Sequence, residues 1–533
     1  MKNIKIIALI LIVSIAAFLR LYKLDQVPPS LNWDEIAAGY NAYTIANWGA
    51  DEYGNKFPLV FKSFGDDKHP VHIYITAAFV KVFGLTDFMT RFPSAVFGTL
   101  TVLAIYFLAR RMFGSDLVGL LSSLFLAISP YHLQFSRGLW EVTFAIFFYI
   151  LGLLLFYLGI RKKPWLLPLS LFSLGVSFFS YHSSKVVVPP TILLLSVLYF
   201  KDLLKNKTAL VFSVLVTVLF VGLSIANPKI LGFARIDQNK LSGEEIEKTF
   251  IYKKTQNINL AKVEVTLKHS KNYFSPNYLF IKGDRNPRHS MTVFGQFYKI
   301  DAFLIIIGVI SLFLIRSKEA LVLLTWLLLA PIPAGFATGD SQNAVRAAFM
   351  MGSVNILAAL GAKQLIKLVK NKIWYVVAGL VILVPLFIEF GMYLKYYYTE
   401  YSKKSAIEWQ YGMKQIVMYL KNNPDYVEVY MDKIRQQPYI FFLYYFKTPL
   451  PRLLETVKYD TSESKSYNTV VSFDKYQFGG KWNIIDSYPN YGVLYIVTPS
   501  YYGGLRYKEQ FEVMKLIKYP NGTDAFYIVE GYQ

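Results

Sequence analysis

Asn32-Trp33-Asp34-Glu35 stands immediately ahead of an amphipathic stretch, Ile36 to Trp48. Acids in the first turn of a helix are favoured by its dipole by about 0.3–1 kcal/mol, which alone would explain the pair. A carboxylate held where solvation is reduced can also serve as a general base. Asp66-Asp67-Lys68-His69 then leads into Pro70 and a short apolar run. Lys68 there can snorkel to lipid headgroups or bind an anionic phosphate. Arg137 and Glu141 have the i, i+4 spacing of a helical ion pair, and Tyr181 and Lys185 share that spacing. Asp284, Arg285, Arg288 and His289 form a further cluster, followed by Asp340 and Arg346. Arg346 suits either an interfacial anchor or a bidentate phosphate clamp. Together these residue types could take a proton from a hydroxyl and stabilise charge on a phosphate. Asp34, Glu35, Asp66 and His289 could also supply ligands to a divalent metal, although their spacing defines no metal site.

The elements that must position these groups are set by composition. The chain has 533 residues, 54% hydrophobic and only 17% charged, with a mean hydropathy of +0.35. That is the profile of an integral membrane protein. About eleven apolar runs can span a bilayer, near 4–22, 89–109, 117–131, 139–160, 165–181, 186–203, 208–226, 301–316, 319–337, 347–366 and 373–395. Basic residues collect in every second connector: Lys2/Lys5, Arg110/Arg111, Arg161/Lys162/Lys163, Lys201/Lys205/Lys207, Arg316/Lys318 and Lys363/Lys367/Lys370/Lys372. The positive-inside rule puts these connectors and the N-terminus in the cytoplasm. The register requires Pro70 to Gly84 to be an interfacial or re-entrant helix.

The outside then owns a loop near 23–88, a loop near 227–300 and the segment from 400 to 533. Short apolar runs at Val427–Met431, Thr469–Phe473 and Val493–Val497 mark that last segment as a soluble α/β domain. The expected organisation is a membrane domain over 1–399 and an extracytoplasmic domain over 400–533. Nearly all candidate site residues face the outer side, and all six histidines fall outside or at the outer boundary. The net charge of +21 divides between the cytoplasmic connectors and the 227–300 loop, which argues against a nucleic-acid partner. With no cysteine there is neither a thiolate nucleophile nor a disulfide scaffold. Nucleotide-binding loops, the serine-hydrolase elbow and the His-Glu-x-x-His zinc motif are absent from the sequence. An activated substrate would therefore arrive through the membrane.

Trp33-Asp34-Glu35-Ile36-Ala37-Ala38-Gly39-Tyr40 resembles the acidic pair in the first outer loop of protein O-mannosyltransferases and related GT-C glycosyltransferases, a group that includes the lipid A aminoarabinose transferases. Asp67-Lys68-His69-Pro70, Phe83-Gly84, Arg91-Phe92-Pro93-Ser94-Ala95, Ala109 to Gly114, Ser129-Pro130 with Arg137, and Asn343-Ala344-Val345-Arg346 follow in the same succession. The resemblance covers roughly residues 1–395. It implies a polyprenyl-phosphate sugar donor and catalysis at the outer face of the cell membrane, with a protein, glycan or lipid acceptor. By it Asp34 is the base and Glu35 supports the site. Lys68 and Arg346 neutralise the departing phosphate, with Arg285 and His289 as helpers. His69 shares the Lys68 assignment, because this chain has His69-Pro70-Val71 where many relatives have Lys or His before two prolines. Asp66, Asp67, Arg137, Glu141, Tyr181, Lys185 and Asp340 are further site candidates. The rival reading, a transporter or lipid flippase, would distribute polar residues through the bilayer.

Overall fold

In the computed structural model the described residues are 2–64, 66–232, 241–336, 342–367, 372–431, 437–460, 469–478, 485–486 and 488–532. Asp340 lies outside them, and the Asp66 side chain is likewise not described. Helices follow in order as α1 (Lys2–Leu21), α2 (Trp33–Trp48), α3 (Pro70–Phe83), α4 (Asp87–Phe113), α5 (Asp116–Ile128), α6 (Pro130–Ser136), α7 (Glu141–Arg161), α8 (Leu166–Phe178), α9 (Ser184–Leu198), α10 (Phe200–Leu203) and α11 (Lys207–Ala226). Further long helices occupy Lys299–Ile315, Lys318–Leu329, Met350–Lys367 and Lys372–Tyr396.

Over the described residues all eleven apolar runs form helices, but their lengths differ. Among the described residues six helices are long and apolar enough to cross a bilayer, and α5 with α6, bent by 61°, makes a seventh if the two are one span. Length and composition therefore support fewer crossings than the eleven expected. The reason is local. Pro130 forces its neighbour Ser129 out of the helical region (φ −56°, ψ 127°), so the third run breaks there. Helix α8 has 13 residues and α9 has 15, spanning roughly 20 Å at 1.5 Å per residue against a hydrocarbon core of roughly 30 Å. Met350–Lys367 is interrupted by non-helical geometry at Met351 and Gly352, the latter with φ 91°. The run at Pro70 forms a helix of 14 residues, also short for a span.

The chain divides into two compact units, residues 1–22 with 94–396, and residues 23–93 with 397–533. In the first, Lys299–Ile315 and Met350–Lys367 meet backbone to backbone. A Cβ added to Gly308 would lie 2.0 Å from the Leu357 carbonyl oxygen, and one added to Gly361 would lie 1.9 Å from that of Leu304. Small residues allow this close approach where hydrophobicity itself gives no drive between helices.

The second unit is built on a seven-stranded mixed sheet. Its strands are β3 (Glu428–Met431), β4 (Lys458–Asp460), β5 (Thr469–Phe473), β6 (Tyr476–Phe478), β7 (Val493–Val497), β8 (Phe511–Lys518) and β9 (Asp524–Gly531), while β1 (Phe61–Ser63) and β2 (Asp66–Lys68) form a separate hairpin. The order is β4-β5-β6-β3-β7-β9-β8, with β3 parallel to β6 and to β7 and the remaining pairs antiparallel. Strand β7, Val-Leu-Tyr-Ile-Val, is buried along its whole length, as a central strand covered on both faces should be. The three strands read from the 400–533 segment correspond to β3, β5 and β7.

Residues 23–93 join this unit through helix Tyr439–Phe446. A Cβ on Gly39 would come within 2.7 Å of the Tyr444 ring. Tyr40 donates to the Thr448 carbonyl at 2.9 Å, and Tyr444 and Thr90 share a hydroxyl hydrogen bond of 2.6 Å. Beside this contact Glu52 is buried, facing Tyr40, Tyr53, Tyr439, Tyr459, Asp51 and Lys62. Its carboxyl is pushed up to about 8, chiefly by burial and then by Asp51. The folded state thus holds this proton more tightly than the unfolded chain does. Stability should be full below about 4.5, the group's ordinary value, and fall as pH rises to about 8. Glu52→Gln should flatten this part of the pH profile of thermal unfolding and raise the midpoint above pH 8; an unchanged slope would show that Glu52 does not set it.

Candidate active site

In the second unit the acidic pair is divided between two tasks. Asn32 caps α2, its Oδ1 accepting from the backbone N–H of Asp34 at 2.8 Å and of Glu35 at 3.2 Å. Glu35 closes the capping box by accepting from the Asn32 N–H at 3.0 Å. The Glu35 carboxylate then meets Arg91 in a forked pair, Nε to Oε1 at 2.9 Å and Nη2 to Oε2 at 3.0 Å. The carbonyls of Leu24, Pro28 and Ser30 accept the remaining donors at 3.0, 2.9 and 2.5 Å. All five N–H groups of a guanidinium are thereby used. The Trp409 ring lies 5.4 Å from the guanidinium carbon, and the Trp33 N–H donates to Gln410 at 3.2 Å. Arg91 and Glu35 are sealed from solvent.

Asp34 points elsewhere. Its Oδ1 lies 2.9 Å from the Lys68 ammonium, with the two side chains 27% and 18% exposed. Of the two acids, Asp34 is therefore the accessible one. Lys68 is delivered by the β1–β2 hairpin, where Asp67 stands opposite Lys62 and Lys68 opposite Phe61. The next residue, His69, is the N-cap of α3 and is buried, with Pro70 in the first helical turn.

In the first unit a second group converges. Asp284 Oδ2 accepts from the Ala344 N–H at 2.6 Å and from His289 Nδ1 at 2.9 Å, while Oδ1 accepts from the Asn286 N–H at 2.8 Å. His289 packs against the Trp140 ring at 5.5 Å and the Phe135 ring at 6.2 Å. The Ser183 hydroxyl donates to the Arg346 carbonyl at 2.9 Å, and the Tyr273 hydroxyl accepts from the Asn343 N–H at 2.8 Å. The turns carrying Tyr181, Lys185, His289 and Arg346 are thus tied together. Lys185 lies 3.3 Å from His182 Nδ1, and Arg285 is exposed. Arg137 is fully buried and donates to the carbonyls of Leu19 and Tyr22 at 2.6 and 2.9 Å, satisfying the end of α1. Glu141 opens α7 four residues later. Among the described residues no three His, Asp or Glu side chains converge where a metal ion could sit.

Residues 67–225 match the sequence family of dolichyl-phosphate-mannose-protein mannosyltransferases. The fold is similar to that of ArnT from Cupriavidus metallidurans bound to undecaprenyl phosphate, with a TM-score of 0.56 at 14% identity, covering 98% of this chain and 99% of that one. The chain thus shares its fold with ArnT, and a segment of it is similar to the mannosyltransferase family. A second structure, the oligosaccharyltransferase AglB from Archaeoglobus fulgidus in complex with an inhibitory peptide and a dolichol phosphate, aligns at a TM-score of 0.52 and 14% identity over 84% of this chain and 64% of that one. By sequence, a putative mannosyltransferase of Bacillus subtilis, YkcB, is 26% identical over 223 residues, or 41% of this chain and 30% of that protein. An uncharacterised protein of Aquifex aeolicus is 33% identical over 182 residues, or 32% of this chain and 36% of that protein. The chain thus spans about a third of the length of the curated relatives it matches. With six helices among the described residues long and apolar enough to cross a bilayer, and with this fold, it is a multi-pass membrane protein.

Arg91, which stands in the sequence only within the Arg91-Phe92-Pro93 motif, is the partner that holds Glu35. A lone arginine beside an apolar span was the available signal, since such a charge needs a partner. Removing it leaves the Glu35 carboxylate buried without its counter-charge. Arg91→Ala should therefore destabilise the protein by about 3–5 kcal/mol, read as a lowered unfolding midpoint in detergent. A midpoint equal to the unaltered protein's would deny the pair its structural role.

Proposed function

We propose that this protein transfers a sugar from a polyprenyl-phosphate donor to an acceptor hydroxyl outside the cytoplasm, in one inverting displacement at the anomeric carbon. The observation that carries the reading is the Asp34–Lys68 ion pair, partly exposed beside a Glu35 that is fully engaged by Arg91. Such a pair joins a proton acceptor to a cation at one place, which is what this chemistry requires. Asp34 takes the proton of the acceptor hydroxyl as its oxygen bonds to the anomeric carbon. The bond from that carbon to the phosphate oxygen breaks, and its electron pair leaves on the phosphate. Lys68 offsets the phosphate charge. When Lys68 turns to the donor phosphate, it exchanges one anion for another and frees Asp34 to act as the base. Glu35 is a positioning residue, holding the first turn of α2 through Asn32.

The assignment favours Lys68 over His69, because His69 is buried at the helix cap. Phosphate handling by Arg346, Arg285 and His289 rests on the resemblance of the sequence to GT-C enzymes. So does the donor class, which is that named for the matched family and for the lipid phosphates bound to ArnT and AglB. The proposed topology keeps the eleven crossings of the charge pattern, with α8 and α9 as short spans. The N-terminus is cytoplasmic, and residues 23–88, 227–300 and 400–533 are outside.

Asp34→Asn should leave the protein folded and lower turnover by about 10²–10⁴-fold with a polyprenyl-phosphate sugar. Normal turnover would remove Asp34 from the mechanism. Lys68→Ala should raise the apparent KM for that donor or lower kcat, and unaltered kinetics would end the phosphate role. Single cysteines at position 34 and in the 400–533 segment, placed in a chain that has none, should react with impermeant reagents from outside the cell. Labelling only from the cytosol would reverse the topology.

A further inference from the structure

Helices α7, α8, α9 and α11 enclose a cavity of about 280 Å³ that takes no part in the proposed chemistry. Its walls are apolar: Phe156, Leu167, Leu174, Leu195, Leu210 and Val218 are among the residues that line it. The two lining hydroxyls on α11 are turned to their own helix, Ser213 donating to the Ala209 carbonyl at 2.8 Å and Thr217 to that of Ser213 at 3.0 Å. They therefore offer little to a polar ligand. Beyond the lining residues α8 and α11 touch, since a Cβ on Gly175 would come within 2.4 Å of the Phe220 ring. On its outer side Val214 and Val218 are 53% and 60% exposed, so it opens towards the lipid-facing surface.

Around its mouth basic residues outnumber acidic ones. Phe156 and Leu167 flank the connector with Arg161, Lys162 and Lys163, and Leu203 and Leu210 flank the one with Lys205 and Lys207, with Lys201 just before it. Arg161 is paired with Glu319 at 2.7 Å and Lys205 with Asp202 at 2.6 Å. The side chains of Lys162, Lys163, Lys201 and Lys207 are exposed, and among the described residues they have no hydrogen-bond or ion-pair partner. Basic residues bordering an apolar cleft at the cytoplasmic ends of membrane helices complement an anionic headgroup with an attached hydrocarbon chain.

We propose that this cleft binds an anionic glycerophospholipid of the cytoplasmic leaflet, one acyl chain filling the cavity and the phosphate lying against the lysines of the two connectors. The unpaired charges select the headgroup, and the largely apolar cavity takes the chain. Because α8 and α9 are too short to fill the bilayer thickness, the lipid completes the packing of this part of the bundle.

The test uses the full-length protein, purified in detergent and delipidated. Phosphatidylglycerol should be retained in native mass spectrometry and raise the unfolding midpoint, with affinity roughly tenfold above phosphatidylcholine of the same chains. Changing Lys162, Lys163, Lys201 and Lys207 together to Gln should abolish that preference. Phosphatidylglycerol carrying a photoreactive acyl chain should label peptides within residues 167–218 of the unaltered protein, and Ser213→Trp, which fills the cavity, should remove this label. Equal retention of the two lipids, labelling confined to other helices, or the same stabilisation by inorganic phosphate alone would overturn the proposal.

Discussion

The constraint on which the candidate site depends is the desolvation of Arg91. A guanidinium taken fully out of water is tolerable only if its donors are met and its charge is opposed. Here one carboxylate and three backbone carbonyls do both. The carbonyls belong to Leu24, Pro28 and Ser30, so the same cation fixes the path of the chain into α2. The carboxylate belongs to Glu35, which also caps that helix. Segment 24–30, the first turn of α2 and the start of α4 are thereby held as one assembly, with Trp409 over the guanidinium.

This arrangement separates two neighbouring acids that look equivalent in the sequence. Glu35 is consumed by structure, and Asp34, one residue earlier and about 100° away around the helix, is left partly exposed against Lys68. A rigid backbone at Asn32 and Glu35 is what allows the Asp34 carboxylate to be presented at a defined place. The first unit uses the same device for a different group. Asp284 is held by the backbone N–H groups of Ala344 and Asn286 and in turn orients His289.

Proline and glycine govern the membrane helices more than hydropathy does. Ser129-Pro130 bends one apolar run by 61°, and Gly308 with Gly361 brings two helices into backbone contact. The first leaves α5 and α6 short, and the cleft among α7, α8, α9 and α11 runs along two further short helices, α8 and α9.

The sequence by itself determined the class of the protein: apolar runs and alternating basic connectors mark a polytopic membrane protein, and the order of its motifs resembles that of GT-C enzymes. It also marked Asp34, Glu35 and Lys68 as residues with chemistry, and β3, β5 and β7 as strands, because period, charge and short apolar runs are local signals. What only the tertiary structure decided was the pairing. Arg91 is 56 residues from Glu35, and Lys68 is 34 from Asp34, so no spacing rule could relate them. Likewise the helix Tyr439–Phe446 draws residues 23–93 into the unit of the C-terminal sheet. A buried charge takes whatever partner the folded chain brings to it, and that choice is long-range. The difference between Asp34 and Glu35 therefore emerges only when the chain has closed around Arg91.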